Sequence, residues 1–442
     1  MESLVSATFL NRYSGRRVFV TGHTGFKGSW LALWLHRLGA QVTGFSLPPT
    51  APPSLHEVVR NGTFAAEIAG DIRDARALNE AVRAAQPEFV FHLAAQALVR
   101  RSYADPVETF EVNALGTVRL LEAVRAAGLS CPVIVVTSDK CYENRGWEWG
   151  YRENDPLGGH DVYSMSKAAT ELVAQSWRCC FFQTDARLGP LATVRAGNVI
   201  GGGDYAADRI VPDCVRALLA DQPVSVRNPR ATRPWQHVLD CLSGYLWLGA
   251  RLAAPEPEAR LADAFNFGPD ARSNQPVAAL VTELLRHWPG EWRDESRPGA
   301  PHEASFLHLD TDRAAQWLGW HPAWSFADAV RETARWYHAR HVGRADMRSF
   351  TITQIDDFTA SAAARGLAWA GSSTSRSMNL TTEHPSPALR APSPLLGGGE
   401  RDGVRGVRSG SGAEIAAVGG PLVLSPTGGE GRGEGARQNT PK

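Results

Sequence analysis

A doubly wound α/β fold with a parallel central sheet and a smaller, interleaved carboxy-terminal lobe is predicted by three features of the chain. Short apolar runs alternate with helical segments from Arg17 to Arg125, a glycine-spaced turn follows the first run directly, and further apolar runs recur at Val133–Val136, Ala192–Arg195 and Ala264–Phe267. Runs that are apolar at successive positions read as strands covered on both faces, which places helices on both sides of a parallel sheet. The early strands fall at Val18–Val20, Gln41–Phe45 and Phe89–His92, and the helices at Ser29–Leu38 and Ala75–Ala85. Each crossover should be right-handed. From about Gly201 the pattern gives way to Gly/Pro-rich loops and short helices that end near Tyr337 to Phe358.

The expected organisation is a dinucleotide-binding domain over residues 12–200, with a late strand near 264–267, then a substrate lobe over 201–360 and a tail over 371–442. From Gly371 to Lys442 there is no aromatic residue, while Gly, Pro, Ser and Arg dominate. Such a stretch cannot bury enough apolar surface to offset its chain entropy, so disorder is expected and no function is assigned to it. The echo of Ser393-Pro-Leu-Leu-Gly-Gly-Gly-Glu in Ser425-Pro-Thr-Gly-Gly-Glu marks low complexity rather than a repeat fold.

Bulk properties exclude several classes. Of 442 residues 43% are hydrophobic, enough for a large core, and 46 basic side chains balance 46 acidic ones. A balance of this kind gives no general attraction to nucleic acid or to an anionic membrane. The amino terminus, MESLVSATFLNRYSGRR, lacks the basic-then-apolar order of a signal peptide, and no run reaches the length of a membrane span, so a soluble cytoplasmic protein is expected. Six cysteines at 131, 141, 179, 180, 214 and 241 show no paired spacing that suggests zinc. They read as reduced thiols, and no metal site is expected.

The segment Thr21-Gly22-His23-Thr24-Gly25-Phe26-Lys27-Gly28 stands between the first strand and the first helix. Glycines there permit a tight turn and let backbone N–H groups approach a pyrophosphate at the positive helix end, the arrangement of a Rossmann-type nucleotide fold. The second strand ends in Ser46 where an acidic ribose ligand is usual, and no Arg or Lys lies between Gln41 and His56 to hold a 2′-phosphate. NAD is therefore favoured over NADP. Gly70-Asp71-Ile72 follows the third apolar segment, where a carboxylate can accept the adenine amino group, and His92-Leu93-Ala94-Ala95-Gln96 breaks into small residues that admit the central riboses.

The chemistry concentrates in Thr137-Ser138-Asp139-Lys140, at the end of an apolar strand, and in Tyr163-Ser-Met-Ser-Lys167. Tyr163 and Lys167, four apart, share one helix face, so the ammonium is expected to lower the phenol's pKa. Such a tyrosine can take the proton of a secondary alcohol while hydride leaves the same carbon. Downstream, Arg195, Asn198, Arg209, Arg233 and Trp235 lie among glycine-rich loops, and planar guanidinium groups suit a nucleoside diphosphate.

Together these residues resemble the extended short-chain dehydrogenase/reductase family, and within it the nucleotide-sugar 4,6-dehydratases. The resemblance spans roughly Gly15 to Phe358, including the phrase from His302 to Asp310 and Leu318-Gly-Trp-His-Pro, and it omits the tail. It implies cofactor contacts at Gly22, Thr24, Gly25, Phe26, Lys27, Gly28, Ser46, Asp71, Ile72, Leu93, Ala94, Ala95, Tyr163 and Lys167. It implies substrate contacts at Gln96, Arg195, Asn198, Arg209, Arg233 and Trp235. Ser138, Tyr163 and Lys167 match the family's redox triad, and Asp139 and Lys140 its dehydrating acid and base. Most of these dehydratases carry glutamate where Lys140 stands, whereas the branch that acts on CDP-glucose is similar to this chain in carrying lysine. A second departure is Gln96-Ala97-Leu-Val-Arg100, where the family usually has proline at the second position.

The implied reaction oxidises C4 of an NDP-hexose, removes water across C5 and C6, and returns hydride to C6. It leads to a 4-keto-6-deoxy sugar for deoxysugar biosynthesis of the lipopolysaccharide type. Lysine as the C5 base requires its pKa to be lowered, which burial beside Lys167 and an oxidised nicotinamide would do. A homodimer or homotetramer is also implied by resemblance. The competing readings are a sugar-nucleotide C4-epimerase, which needs no acid and base beside the triad, and a non-catalytic NAD-binding scaffold, which needs neither Tyr163 nor Lys167.

Overall fold

The computed structural model describes residues 10–49, 53–296 and 307–371. The tail beyond Gly371 and the start of the phrase from His302 lie outside the described residues. Strands β1 (Arg17–Thr21), β2 (Gln41–Ser46), β3 (Ala66–Ala69), β4 (Phe89–His92), β5 (Val133–Val136) and β6 (Leu191–Arg195) enter one sheet. They are linked through helices α1 (Phe26–Arg37), α2 (Leu55–Val59), α3 (Ala75–Ala85), α4 (Val99–Ala104), α5 (Pro106–Phe110), α6 (Gly116–Ala127) and α7 (Val162–Trp177). The short strands β7 (Val199–Ile200), β8 (Val224–Val226), β9 (Thr232–Pro234) and β10 (Gln236–His237) follow, and β11 (Ala264–Asn266) completes the sheet. Its order is β11-β6-β5-β4-β1-β2-β3, with every neighbour parallel. The chain winds one way from β1 to β3 and the other way from β4 onward, which opens a crevice at the carboxyl ends of β1 and β4.

Strand alternation divides the core in two. Val18 and Val20 on β1 enter one buried cluster and Phe19 the other, on the opposite face of the sheet. The helix α1 carries Trp30, Leu31, Leu33 and Trp34, all buried, because it is covered by the sheet on one side and by later helices on the other. The later helices are α8 (Ile210–Leu219), α9 (Val238–Leu252), α10 (Val277–His287), α11 (Phe326–His341) and α12 (Met347–Ala364), of which α9 and α12 pack on α1. Local caps hold α3 at both ends. The Asp74 carboxylate accepts from the amides of Arg76 and Ala77 at the start of α3, and Gln86 closes that helix in the left-handed region at φ 42°.

Two expected boundaries change. The first helix starts at Phe26 rather than Ser29, with Gly25 as its N-cap, so the glycine loop runs straight into it. The folded body also continues past residue 360. Trp369 is fully buried, stacks on Phe358 with ring centroids 5.4 Å apart, and donates its indole N–H to the His321 carbonyl at 3.2 Å. The expected domains over 12–200 and 201–360 fall within one compact unit. The loop 201–203 shows how tightly they interlock. The Trp30 indole donates to the Gly202 carbonyl at 2.9 Å, and a side chain on Gly202 would collide with the ring of Trp336 from α11.

Candidate active site

The loop after β1 is shaped for close approach. Gly22 holds φ 75°, and a Cβ on it would lie 2.6 Å from the amide nitrogen of Ala94. No larger residue fits there. On Gly28 a Cβ would strike the Gly22 carbonyl, so these glycines fix how the loop folds onto α1. No side chain caps α1, which leaves its first amides, among them those of Phe26 and Lys27, available to an anionic group. At the end of β2 the Thr24 and Ser46 hydroxyls are 2.9 Å apart, and Thr24 also donates to the Leu47 carbonyl. A paired hydroxyl thus stands where an acidic ribose ligand is usual. Asp71 is engaged by Arg73, whose guanidinium hydrogen-bonds it at 2.6 Å and holds the carboxyl below its usual pKa. Ile72 packs beside Gly116, and Leu93, Ala94 and Ala95 follow β4 in half-buried backbone. The Ala94 amide donates to Thr21 Oγ1 at 3.2 Å, and His92, bonded to Thr21 and Thr117, is held neutral by burial, with its pKa lowered to about 3. These residues fit a dinucleotide laid across the glycine loop.

The candidate catalytic set gathers at the end of β5. Ser138 caps a short 3-10 turn over Asp139–Cys141, accepting from the Lys140 amide at 3.2 Å and donating to Asp139 Oδ1 at 2.9 Å. Asp139 is buried against Gly197, where a Cβ would overlap its carboxylate. Tyr163 sits on the first turn of α7, which Asp161 caps by accepting from the Ser164 amide at 2.9 Å. Burial drives the phenol up to about 12, although a hydrogen bond with Ser138 acts in the opposite sense. The expected lowering by the i+4 ammonium is therefore corrected. Lys167 turns its Nζ to the Val136 carbonyl at 3.3 Å, and the cation acting on the phenol is Arg209. Burial, followed by the Lys27 cation, brings Lys167 itself down to about 8. Lys140 is exposed, so the burial that a lysine base needs is not supplied by the chain alone.

Several expected substrate ligands are committed elsewhere. Arg195 is buried and paired with Glu171 at 2.8 Å, and its other terminal nitrogen donates to the Tyr142 hydroxyl at 2.6 Å and the Glu153 carbonyl at 3.0 Å. This corrects its assignment to a phosphate: β6 aims it beneath the site. Trp235 is likewise a core residue, 4% exposed, with its indole N–H on the Gln275 carbonyl at 2.9 Å. The Gln96 amide is spent on the backbone at Leu98 and on Thr109 Oγ1, so it shapes its loop. Asn198 is half-buried, with φ 46° and its carbonyl accepting from the Gln236 amide at 3.3 Å. Arg209 pairs with Asp204 at 2.8 Å while 37% of its side chain stays exposed, and Arg233 donates to the Thr232 carbonyl at 2.9 Å.

Three groupings escape a reading of the sequence. Glu171, one turn beyond Lys167, accepts from Thr137, from Thr193 at 2.7 Å and from Arg195, and thereby ties α7 to β5 and β6. Burial, which works to raise its pKa, is outweighed by these donors. Asn113 accepts from the Gln96 backbone N–H at 2.8 Å and donates to Ser166 Oγ at 2.8 Å, linking the loop after β4 to the tyrosine helix. Finally, His23, His56 and Glu67 meet behind the glycine loop. The i+4 spacing from Lys167 to Glu171 is a usable signal; the other two depend on elements far apart in the chain.

Residues 18–267 match the NAD dependent epimerase/dehydratase family. The chain is 45% identical over 353 residues to the CDP-glucose 4,6-dehydratase of Salmonella typhimurium, an alignment covering 79% of this chain and 97% of that protein. It is 27% identical over 327 residues to the UDP-glucose 4-epimerase of Mycolicibacterium smegmatis, covering 73% and 98%. Among solved structures, that of DesIV, a dTDP-glucose 4,6-dehydratase from Streptomyces venezuelae with NAD and TYD bound, superposes with a TM-score of 0.61 at 24% identity, covering 74% and 98%. That likeness shows a shared fold, and the family match together with the 45% relative extends it to descent: the chain belongs to the NAD dependent epimerase/dehydratase family.

Proposed function

We propose that the protein is a CDP-glucose 4,6-dehydratase that forms CDP-4-keto-6-deoxyglucose and water. The observation that carries this reading is the continuous contact from Asp139 through Ser138 to Tyr163, with Lys140 on the same turn. A C4-epimerase needs the tyrosine and serine, and gains nothing from a buried acid wired to them. The 45% relative is a CDP-glucose enzyme, which supports the nucleotide.

NAD, which the glycine loop from Gly22 to Gly28 would hold, would supply the redox chemistry, an acceptor for the C4 hydride and its donor at C6. Tyr163 takes the C4 hydroxyl proton, and Ser138 steers that proton and steadies the resulting ketone oxygen. The positive charge of an oxidised nicotinamide, added to the Arg209 cation and the Ser138 hydrogen bond, must offset the burial that holds Tyr163 near 12. The 4-ketone acidifies C5, where Lys140 takes the proton and gives it back once C6 has regained hydride; Asp139 gives a proton to the departing C6 hydroxyl. Arg209 and Arg233, with Asn198, face the diphosphate, and the substrate has to draw Arg209 from Asp204.

The reading further places the enzyme in the cytoplasm, in deoxysugar biosynthesis of the lipopolysaccharide type, as a homo-oligomer. All six cysteines are free, in keeping with a reducing compartment. The exposed apolar side chains Val107 and Leu115, with Met165 and Leu172 on α7, offer a surface for a second copy. The test is incubation with CDP-, dTDP-, GDP- and UDP-glucose and substoichiometric NAD, read by loss of one water in the mass spectrum. Turnover of CDP-glucose is expected; turnover of another nucleotide in its place would sink the assignment. Lys140→Met and Asp139→Asn should stop water loss while hydrogen isotope at C4 still exchanges, and Tyr163→Phe should stop both.

A further inference from the structure

Behind the glycine loop, and apart from the catalytic residues, three side chains from three elements converge: His23 from the loop itself, His56 from α2 and Glu67 from β3. Glu67 Oε1 lies 2.5 Å from His56 Nε2 and 3.4 Å from His23 Nε2, and one ligand atom from each residue falls within 4.8 Å of the other two. We propose that His23, His56 and Glu67 form a site for a divalent transition metal ion of the zinc class, bound by two imidazole nitrogens and one carboxylate oxygen.

Two imidazoles and a carboxylate are donors that zinc accepts, with bonds of about 2.0–2.2 Å that set tetrahedral ligand atoms roughly 3.3 Å apart. The His23–Glu67 separation of 3.4 Å already matches. His56, at 2.5 Å, has to draw back from Glu67 by about 0.8 Å, a small side-chain rotation. The two rings are fixed in mutual orientation, with centroids 5.4 Å apart and planes at 72°, and both pack on Phe64 at 5.0 and 5.9 Å. His23 cannot swing away, because a Cβ on Gly44 would already lie 2.5 Å from its ring. The Phe45 backbone hydrogen-bonds the ring, and Nε2 turns toward the Glu67 carboxylate at 3.4 Å. Arg60 competes for the same carboxylate at 3.3 Å, on the other oxygen, but its side chain is 53% exposed and can leave for water. Three protein donors leave the fourth position to water.

Bound there, the ion would join the nucleotide loop to α2 and β3 and stiffen the cofactor site without entering the reaction. The alternative is an ion-free bridge in which Glu67 is shared between His56 and Arg60. The full chain carrying Cys179→Ser and Cys180→Ser, which removes the two exposed thiols, is stripped with chelator and titrated with Co²⁺ and with Zn²⁺. The expected result is one ion per chain, a visible cobalt spectrum without a thiolate band, and a melting temperature raised by Zn²⁺. His56→Gln and Glu67→Gln should each weaken binding roughly tenfold or more and abolish that rise. His56→Phe, which keeps the packing on Phe64, replaces the glutamine variant if that one fails to fold. No binding, or binding that these substitutions leave unchanged, overturns the site.

Discussion

Lys167→Met should destroy the enzyme and stabilise the fold. The lysine is 4% exposed, and its pKa, lowered first by burial and then by the Lys27 cation, stands at about 8 against an ordinary 10.5. At pH 7 the folded chain therefore carries a buried charge that it would rather lose, and the drop from 10.5 to about 8 corresponds to about 3 kcal/mol. Methionine removes that penalty at similar volume and forfeits the bond from Nζ to the Val136 carbonyl, which offsets about 1 kcal/mol. The net gain at pH 7 is about 2 kcal/mol. Between pH 8 and 10.5 the unfolded lysine binds more protons than the folded one, so wild-type stability rises with pH through that window. The advantage of the variant should accordingly shrink by about 2 kcal/mol between about pH 7 and about pH 9.5. Urea unfolding of both proteins at the two pH values, followed by tryptophan fluorescence, measures it. A variant less stable at pH 7, or a difference that ignores pH, would refute the account of Lys167 as a buried, strained cation.

The Glu171–Arg195 pair gives a second expectation. Arg195→Met leaves a buried carboxylate unpaired and should cost about 3–5 kcal/mol, whereas adding Glu171→Gln should recover a large part of it in a thermal melt. Gly22→Ala forces a side chain against Ala94 at φ 75°, so NAD affinity by calorimetric titration should fall while the circular dichroism spectrum persists. Cutting the chain after Gly371 should leave the melting temperature nearly unchanged. Cutting before Leu367 removes Trp369 and should cost about 3–5 kcal/mol, and equal melting of the two truncations would show that this indole contributes nothing.

The parallel strands, the glycine loop and α3 are legible in the sequence because each is a local pattern. An apolar run buried on both faces, a glycine triplet after it and an Asp74 cap are encoded within a few residues, and the sheet only assembles them. Ser138, Asp139 and Tyr163 are legible for the same reason, being close in sequence or marked by a helix spacing. The direction of a long side chain is not. Arg195 and Arg209 both look like phosphate ligands, yet β6 carries Arg195 inward onto Glu171, while Arg209 stays half-open at the start of α8. Trp235 reads as an aromatic beside the substrate, and the packing of β9 and its neighbours makes it core.

Electrostatics are decided by burial, which no spacing reports. The i+4 geometry of Tyr163 and Lys167 holds, but the phenol ends near 12 because desolvation outweighs any cation at that depth, and Lys140, expected to be a buried base, stands in solvent. The sequence by itself thus determined which chemical groups exist, on which elements, and in what order along the chain. The tertiary structure decided which of them meet, as with Glu171 and Arg195 or the cluster of His23, His56 and Glu67, and which are stripped of water. Contact between distant segments and loss of solvent are properties of the packed whole, and residue type and spacing carry neither.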